Sequence, residues 1–106
     1  MKFQLLTIAA VASTAMGWNL RLYRLPGYIG LIESASGLTG RSCVNLGLVA
    51  DNEASSLHWD GLNYQVVLYE NKDCKNKVAT YSGVMNQAAL PAGVNNVVSS
   101  YAVLPL

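Results

Sequence analysis

Apolar residues fall along this chain in short runs of about five, each cut off by turn residues. Asn19-Leu20-Arg21-Leu22-Tyr23 alternates polar and apolar positions, and Tyr64-Gln65-Val66-Val67-Leu68-Tyr69 is nearly continuous in apolar character. Both runs are rich in Leu, Val and Tyr, the composition of strands. Between such runs stand Pro26-Gly27, Ser36-Gly37, Gly40, Asp60-Gly61, Ser82-Gly83 and Pro91-Ala92-Gly93, the residues of tight turns. Past the N-terminal segment, no stretch keeps a 3.6-residue apolar period for three turns. Short strands at intervals of roughly 8–12 residues predict an all-β sandwich or barrel.

The N-terminus follows a different pattern. After Met1 and Lys2, Phe3 to Ala12 is apolar except for Gln4 and Thr7, and Ser13, Thr14, Ala15, Met16 and Gly17 follow. One cation, a short apolar stretch and small residues at its exit predict a secretory signal peptide over residues 1–17. Cleavage after Ala15 or Gly17 fits the small residues. The stretch is too short to span a bilayer, which needs about 20 residues. Residues 18–106 then form one domain of about 90 residues with a modest core, expected outside the cell. The whole chain carries seven Lys and Arg against six Asp and Glu. Without Lys2 the balance is neutral, so neither a basic face for nucleic acid nor an acidic tail is expected. No second apolar segment suggests a membrane span.

Cys43 and Cys74 are the only cysteines. In an exported chain two cysteines are expected to pair; two free thiols or an intermolecular bridge are the alternatives. A zinc site is not expected, because one histidine and no further sulfur accompany them.

The chain also repeats itself. Leu20-Arg21-Leu22-Tyr23 lies over Val66-Val67-Leu68-Tyr69 at an offset of 46 residues, and Asp51-Asn52-Glu53-Ala54-Ser55-Ser56 lies over Asn95-Asn96-Val97-Val98-Ser99-Ser100 at an offset of 44. Both hexads read [Asp/Asn]-[Asp/Asn]-x-x-Ser-Ser. Average residue usage would give such a hexad on the order of once in 10⁴ positions. Two of them, each following a matching strand at similar distance, indicate a tandem duplication.

The hairpin after the first strand carries a further signature. Tyr23-Arg24-Leu25-Pro26-Gly27-Tyr28-Ile29-Gly30 reads aromatic, four residues, aromatic, any residue, Gly. With the two hexads, it resembles the βγ-crystallin superfamily over nearly the whole of residues 19–104. The resemblance implies two four-stranded Greek-key motifs packed as a sandwich, the first over about 18–60 and the second over about 62–106. Two aromatics would pack at a folded-over hairpin corner, with Gly supplying a left-handed backbone. The second copy, Tyr69-Glu70-Asn71-Lys72-Asp73-Cys74-Lys75-Asn76, departs from this, placing Cys74 and Asn76 at the last two defined positions. Asn tolerates the left-handed conformation best after Gly. Cys74 would exchange an aromatic contact for a tie to Cys43, joining the second repeat's corner to the first repeat's third strand.

In calcium-binding members of this superfamily the hexads supply ligands to two adjacent sites shared by the repeats. The resemblance implies side-chain ligands Asp51, Asn52 and Ser55 from the first copy and Asn95, Asn96 and Ser99 from the second. Main-chain carbonyls of Arg24, Glu53, Glu70 and Val97 would complete them. Oxygen donors of these kinds suit calcium. The same residues also make ordinary turns, because their side chains cap the local backbone. With Asp51 the single carboxylate at a ligand position, a weak site is expected, with dissociation constants on the order of 10⁻⁵–10⁻³ M. Ser56 and Ser100 are expected to start strands and hydrogen-bond locally rather than touch metal.

Signals of catalysis are lacking. His58 stands beside Trp59 without residues that would make it a general base, and no Gly-x-Ser-x-Gly elbow occurs. Gly37-Leu38-Thr39-Gly40-Arg41-Ser42 lacks the Lys and spacing of a phosphate loop. The tyrosines are expected in the core and hairpin corners. The expectation is a non-enzymatic secreted protein with a calcium-linked structural role. The alternative is a secreted interaction module with degenerate calcium sites: an effector, an antimicrobial or killer-toxin-like protein, or a protease inhibitor, facing an extracellular protein or cell-surface partner. Its variable segments would be 34–41 and 82–89, read as loop-like.

Overall fold

The computed structural model describes residues 17–106; the expected signal peptide, apart from Gly17, lies outside the described residues. The alternation at the start of the domain becomes strand β1, Trp18–Leu25, which buries Trp18, Leu20 and Leu22 and exposes Arg21. Trp18, the expected new N-terminus, is buried and only 3% exposed. Strands β2 (Ile29–Gly37), β3 (Arg41–Asn45), β4 (Ser56–Asn71), β5 (Lys75–Gln87) and β6 (Ser100–Pro105) follow, all antiparallel to their neighbours. No helix occurs among the described residues.

The six strands build two four-stranded sheets, because β4 and β5 each serve in both. Residues 56–60 of β4 pair with β1, and residues 64–69 pair with β6. Strand β5 follows β4 throughout, with its register broken between Gly61 and Gln65. One sheet thus runs β2-β1-β4-β5 and the other β5-β4-β6-β3. The third strand of the first repeat, β3, pairs with β6 of the second. Reciprocally, residues 83–87 of β5 pair with residues 57–61 of β4. Each repeat lends its third strand to the other, the Greek-key connection.

At the crossing point Gly61 is required. A Cβ there would stand 2.7 Å from the Trp59 ring and 3.2 Å from Trp18 Cβ. The two indoles stack with centroids 5.9 Å apart and planes 25° from parallel. Leu20, Leu22, Leu57, Val66, Leu68, Tyr101 and Val103 join them in one core between the sheets. Those seven side chains are almost fully buried, each contributing about 1.5–3 kcal/mol of transfer free energy.

Two segments differ from expectation. Ser34–Gly37 lies in β2 and Ser82–Gln87 in β5, rather than in loops. Strand β2 and each half of β5 are sheet edges, with exposed and half-buried positions alternating. Their outward Ser, Asn and Gly residues dilute the apolar signal by which strands are recognised. His58 stands inside β4, its ring paired with the Asn86 side chain across to β5.

The bridge between Cys43 and Cys74 forms, with Cα atoms 5.9 Å apart. It ties the turn between β4 and β5 to β3, the third strand of the first repeat. The first hairpin corner is aromatic as expected: Tyr23 and Tyr28 meet edge to face, centroids 5.7 Å apart. Gly30 (φ 77°) and its counterpart Asn76 (φ 62°) are both left-handed. So are Tyr28 (φ 62°) and Cys74 (φ 56°), the next pair of counterparts.

Candidate metal centre

The two loops that precede β4 and β6 have nearly the same internal hydrogen bonds. Asp51 N donates to Gly47 O at 2.9 Å and Asn95 N to Pro91 O at 2.8 Å. Glu53 N reaches Ala50 O at 3.1 Å, and Val97 N reaches Val94 O at 3.2 Å. Ala50 and Val94 are buried beneath the loops, as are Ala54 and Val98. Each loop turns through an asparagine with φ 58°, Asn52 or Asn96. The second position of the hexad therefore suits Asn on backbone grounds alone, whatever its side chain does.

The loops also hold each other. Asn52 N donates to Val98 O at 3.0 Å, while Asn96 N donates to Ala54 O at 2.9 Å. Ser55 N is held by Tyr23 O at 2.8 Å, and Ser99 N by Tyr69 O at 2.9 Å. Side chains repeat the exchange: Ser55 Oγ donates to Asn96 Oδ1 at 3.1 Å, and Ser99 Oγ to Asn52 Oδ1 at 3.0 Å. Two oxygen pairs result, each taking its serine from one repeat and its asparagine from the other. The hexad pattern shows which residues cluster; the cross-over follows only from the exchange of strands.

The sixth residue of each hexad works elsewhere. Ser56 Oγ donates to Leu25 O at 2.7 Å and accepts from Tyr28 N at 3.1 Å. Ser100 Oγ does the same with Asn71 O (2.6 Å) and Cys74 N (3.0 Å). Both serines are fully buried and clamp the hairpin that crosses above them.

The charged candidates sit outside the two serine–asparagine pairs. Asp51 Oδ2 lies 3.8 Å from Lys72 Nζ, and Lys72 also donates to Leu46 O at 3.0 Å. Glu53 Oε1 lies 3.6 Å from Arg24 Nε, whose Nη2 is 3.4 Å from Val49 O. Asn95 is exposed. Asp51 Oδ1 is buried and has no hydrogen-bond partner among the described residues. Neutral hydroxyl and amide oxygens with one spare carboxylate oxygen are hard donors, and they fit calcium better than zinc or copper. No group of three His, Cys, Asp or Glu able to hold a metal occurs among the described residues.

Two other places have polar chemistry. An open cleft of about 420 Å³ lies beside Trp18, Asn19, Leu38 and Asp60, with a single carboxylate and no histidine or cysteine in its lining. Glu33, Tyr101 and Arg41 meet where β2 approaches β6 and β3. Burial raises the Glu33 carboxyl above its ordinary value, opposed by a hydrogen bond with Tyr101 and by the Arg41 charge. Tyr101 is pushed up to about 12, by burial first and by the Glu33 carboxylate second.

No protein-family model and no curated protein matches the chain. Solved structures do. A βγ-crystallin domain from Flavobacterium johnsoniae is 27% identical with a TM-score of 0.58, covering 81% of this chain and 93% of that one. One from Clostridium beijerinckii is 18% identical with a TM-score of 0.61, over 81% and 97%. The N-terminal domain of protein S is 19% identical with a TM-score of 0.61, over 83% and 97%. The exchanged third strands, the clamped hairpins and this agreement over nearly the full length of each neighbour together give the chain the fold of the βγ-crystallin superfamily.

Proposed function

We propose that this chain is a secreted, non-enzymatic βγ-crystallin-like domain that binds calcium weakly through its paired hexads and gains stability from it. The observation that carries the reading is the pair of serine–asparagine contacts that cross between the repeats. Each gathers a hydroxyl and an amide oxygen on a rigid turn, with the carbonyls of Arg24, Glu53, Glu70 and Val97 as the remaining donors of the proposal.

Weak binding follows from the charges. Asn52 and Asn96 are neutral, and the one carboxylate at a proposed ligand position, Asp51, already faces Lys72. Affinity falls with ligand charge, to dissociation constants on the order of 10⁻⁵–10⁻³ M. Calcium at ten times that constant would add about 1.4 kcal/mol to stability, a role for a protein living in millimolar calcium outside the cell.

Calorimetric calcium titration of the oxidised residues 18–106 tests this, alongside Asn52→Gly and Asn96→Gly. Glycine keeps the left-handed backbone and removes the side chain with its amide oxygen. Saturable heat that both variants weaken is expected. An intact fold with no heat at millimolar calcium would leave the hexads as turns.

A second reading, a secreted interaction module, draws on the first hairpin. Leu25, Ile29 and Leu31 are each half or more exposed, and the neighbouring loop leaves Leu48 and Val49 in solvent. Exposed apolar residues grouped on one hairpin suit an extracellular protein or cell-surface partner. Secretion assays for growth inhibition, protease inhibition and host-cell response would separate it from the first.

A further inference from the structure

The duplication is nearly symmetric in its backbone, but the charges around it are not. Lys72 sits in the β4–β5 turn, two residues beyond Glu70, and its counterpart by the 46-residue offset is Pro26. The ammonium reaches back across the molecule to the first hexad loop. It donates to Leu46 O at 3.0 Å and faces Asp51 Oδ2 at 3.8 Å, next in sequence to the Asn52–Ser99 pair. The turn that carries Lys72 is fixed from three sides. The Cys43–Cys74 bridge ties it to β3, Asp73 is hydrogen-bonded through both side chain and N–H to Asn45, and Ser100 clamps Cys74 N. A lysine that would otherwise sweep through solvent is thereby held against one carboxylate and one loop carbonyl.

Resting on the calcium reading above, we propose that Lys72 is a built-in competitor at the Asn52–Ser99 site: its ammonium occupies the place of a cation beside Asp51 and sets the low affinity there. Without metal it neutralises Asp51 and pins the loop at Leu46. A divalent ion at Asn52 and Ser99 must either displace the ammonium from Asp51 or bind against its charge. The Ser55–Asn96 pair has no equivalent lysine. Arg24, next to the Tyr23 carbonyl that holds Ser55 N, turns its guanidinium to Glu53 at 3.6 Å, so the charges around the two sites differ although their backbones match. Repulsion between a unit charge and a divalent ion beside the same carboxylate, in the high effective dielectric of a surface, changes affinity on the order of tenfold.

The test is calcium titration of Lys72→Met beside wild type, with Lys77→Met as the same charge change on exposed β5 and Lys72→Arg as the charge-conserving variant. Urea unfolding of each in chelator is the companion measurement. The expected result is about tenfold tighter calcium binding at one of two sites for Lys72→Met alone, with lower stability in chelator from the lost loop contact. Equal affinities for Lys72→Met, Lys77→Met and wild type would overturn the competitor role while leaving calcium binding in place. No saturable binding by wild type or by Lys72→Met would overturn the calcium reading and the competitor with it. Binding by Lys72→Met where wild type shows none would support both.

Discussion

Replacing Ser56 by alanine removes one oxygen from the protein and two hydrogen bonds from the first hairpin. The hydroxyl is fully buried; it donates to Leu25 O at 2.7 Å and accepts from Tyr28 N at 3.1 Å. No cavity of consequence opens, so the loss is in hydrogen bonding alone. Each bond contributes about 1 kcal/mol net. Leu25 and Tyr28 are exposed residues and both bonds are only part-buried, so the net value per bond applies rather than the full desolvation penalty for orphaned groups. The expected cost is about 2 kcal/mol, which for a domain of this size lowers the thermal midpoint by about 8–16 °C. Urea unfolding of the oxidised protein in chelator measures it without interference from metal. The denaturant slope should stay constant, since the same surface is exposed on unfolding. Ser100→Ala removes the equivalent pair, to Asn71 O and Cys74 N, and should cost the same. Ser55→Ala, one residue earlier, loses a single contact to Asn96; it should cost about 1 kcal/mol but weaken calcium binding, which Ser56→Ala should not. A loss below about 0.5 kcal/mol in both Ser56→Ala and Ser100→Ala would refute the clamp, since that is the size of an ordinary surface substitution.

Glu33 gives a pH signature. Because burial raises its carboxyl, the folded state binds more protons than the unfolded one, and stability falls as pH rises from the ordinary value through the raised one. Glu33→Gln should remove that fall, its advantage over wild type growing across the window and levelling above it; urea midpoints at a series of acid to neutral pH values check this, and parallel profiles would refute it. Removing the bridge with Cys43→Ser and Cys74→Ser opens a loop spanning 31 residues and should cost on the order of 3–4 kcal/mol. Denaturation of that variant should match the wild-type protein under reductant, and a stability equal to the oxidised wild type would contradict it.

The features legible in the sequence are those in which one residue type answers to one local demand. Alternation at Leu20 and Leu22 placed β1, the pairing of cysteines gave the bridge, and Asn76 in place of glycine marked a left-handed turn. The repeat was legible because both copies must solve the same turn with Asn and Ser. What escaped depended on distance in the chain. Ser34, Ser36 and Ser82 read as loop residues because an edge strand needs few apolar side chains. That Ser55 meets Asn96, rather than its neighbour Asn52, follows from the exchange of third strands, which no spacing encodes. Lys72 reads as an ordinary surface lysine until the turn is folded against Leu46 and Asp51. In the second repeat the hairpin departed from the aromatic pattern at Cys74, and its meaning was clear only through the partner cysteine.

The exchange of third strands also bears on assembly. A single repeat cut from this chain would fold with a gap in its own sheet and a spare strand with no sheet to join. Two such fragments could fill both gaps by trading strands, a domain-swapped dimer that reproduces the intact fold from two chains. In the intact chain, the continuous strand through Gly61 makes that trade within one molecule, so the duplication works as a dimer whose halves cannot dissociate.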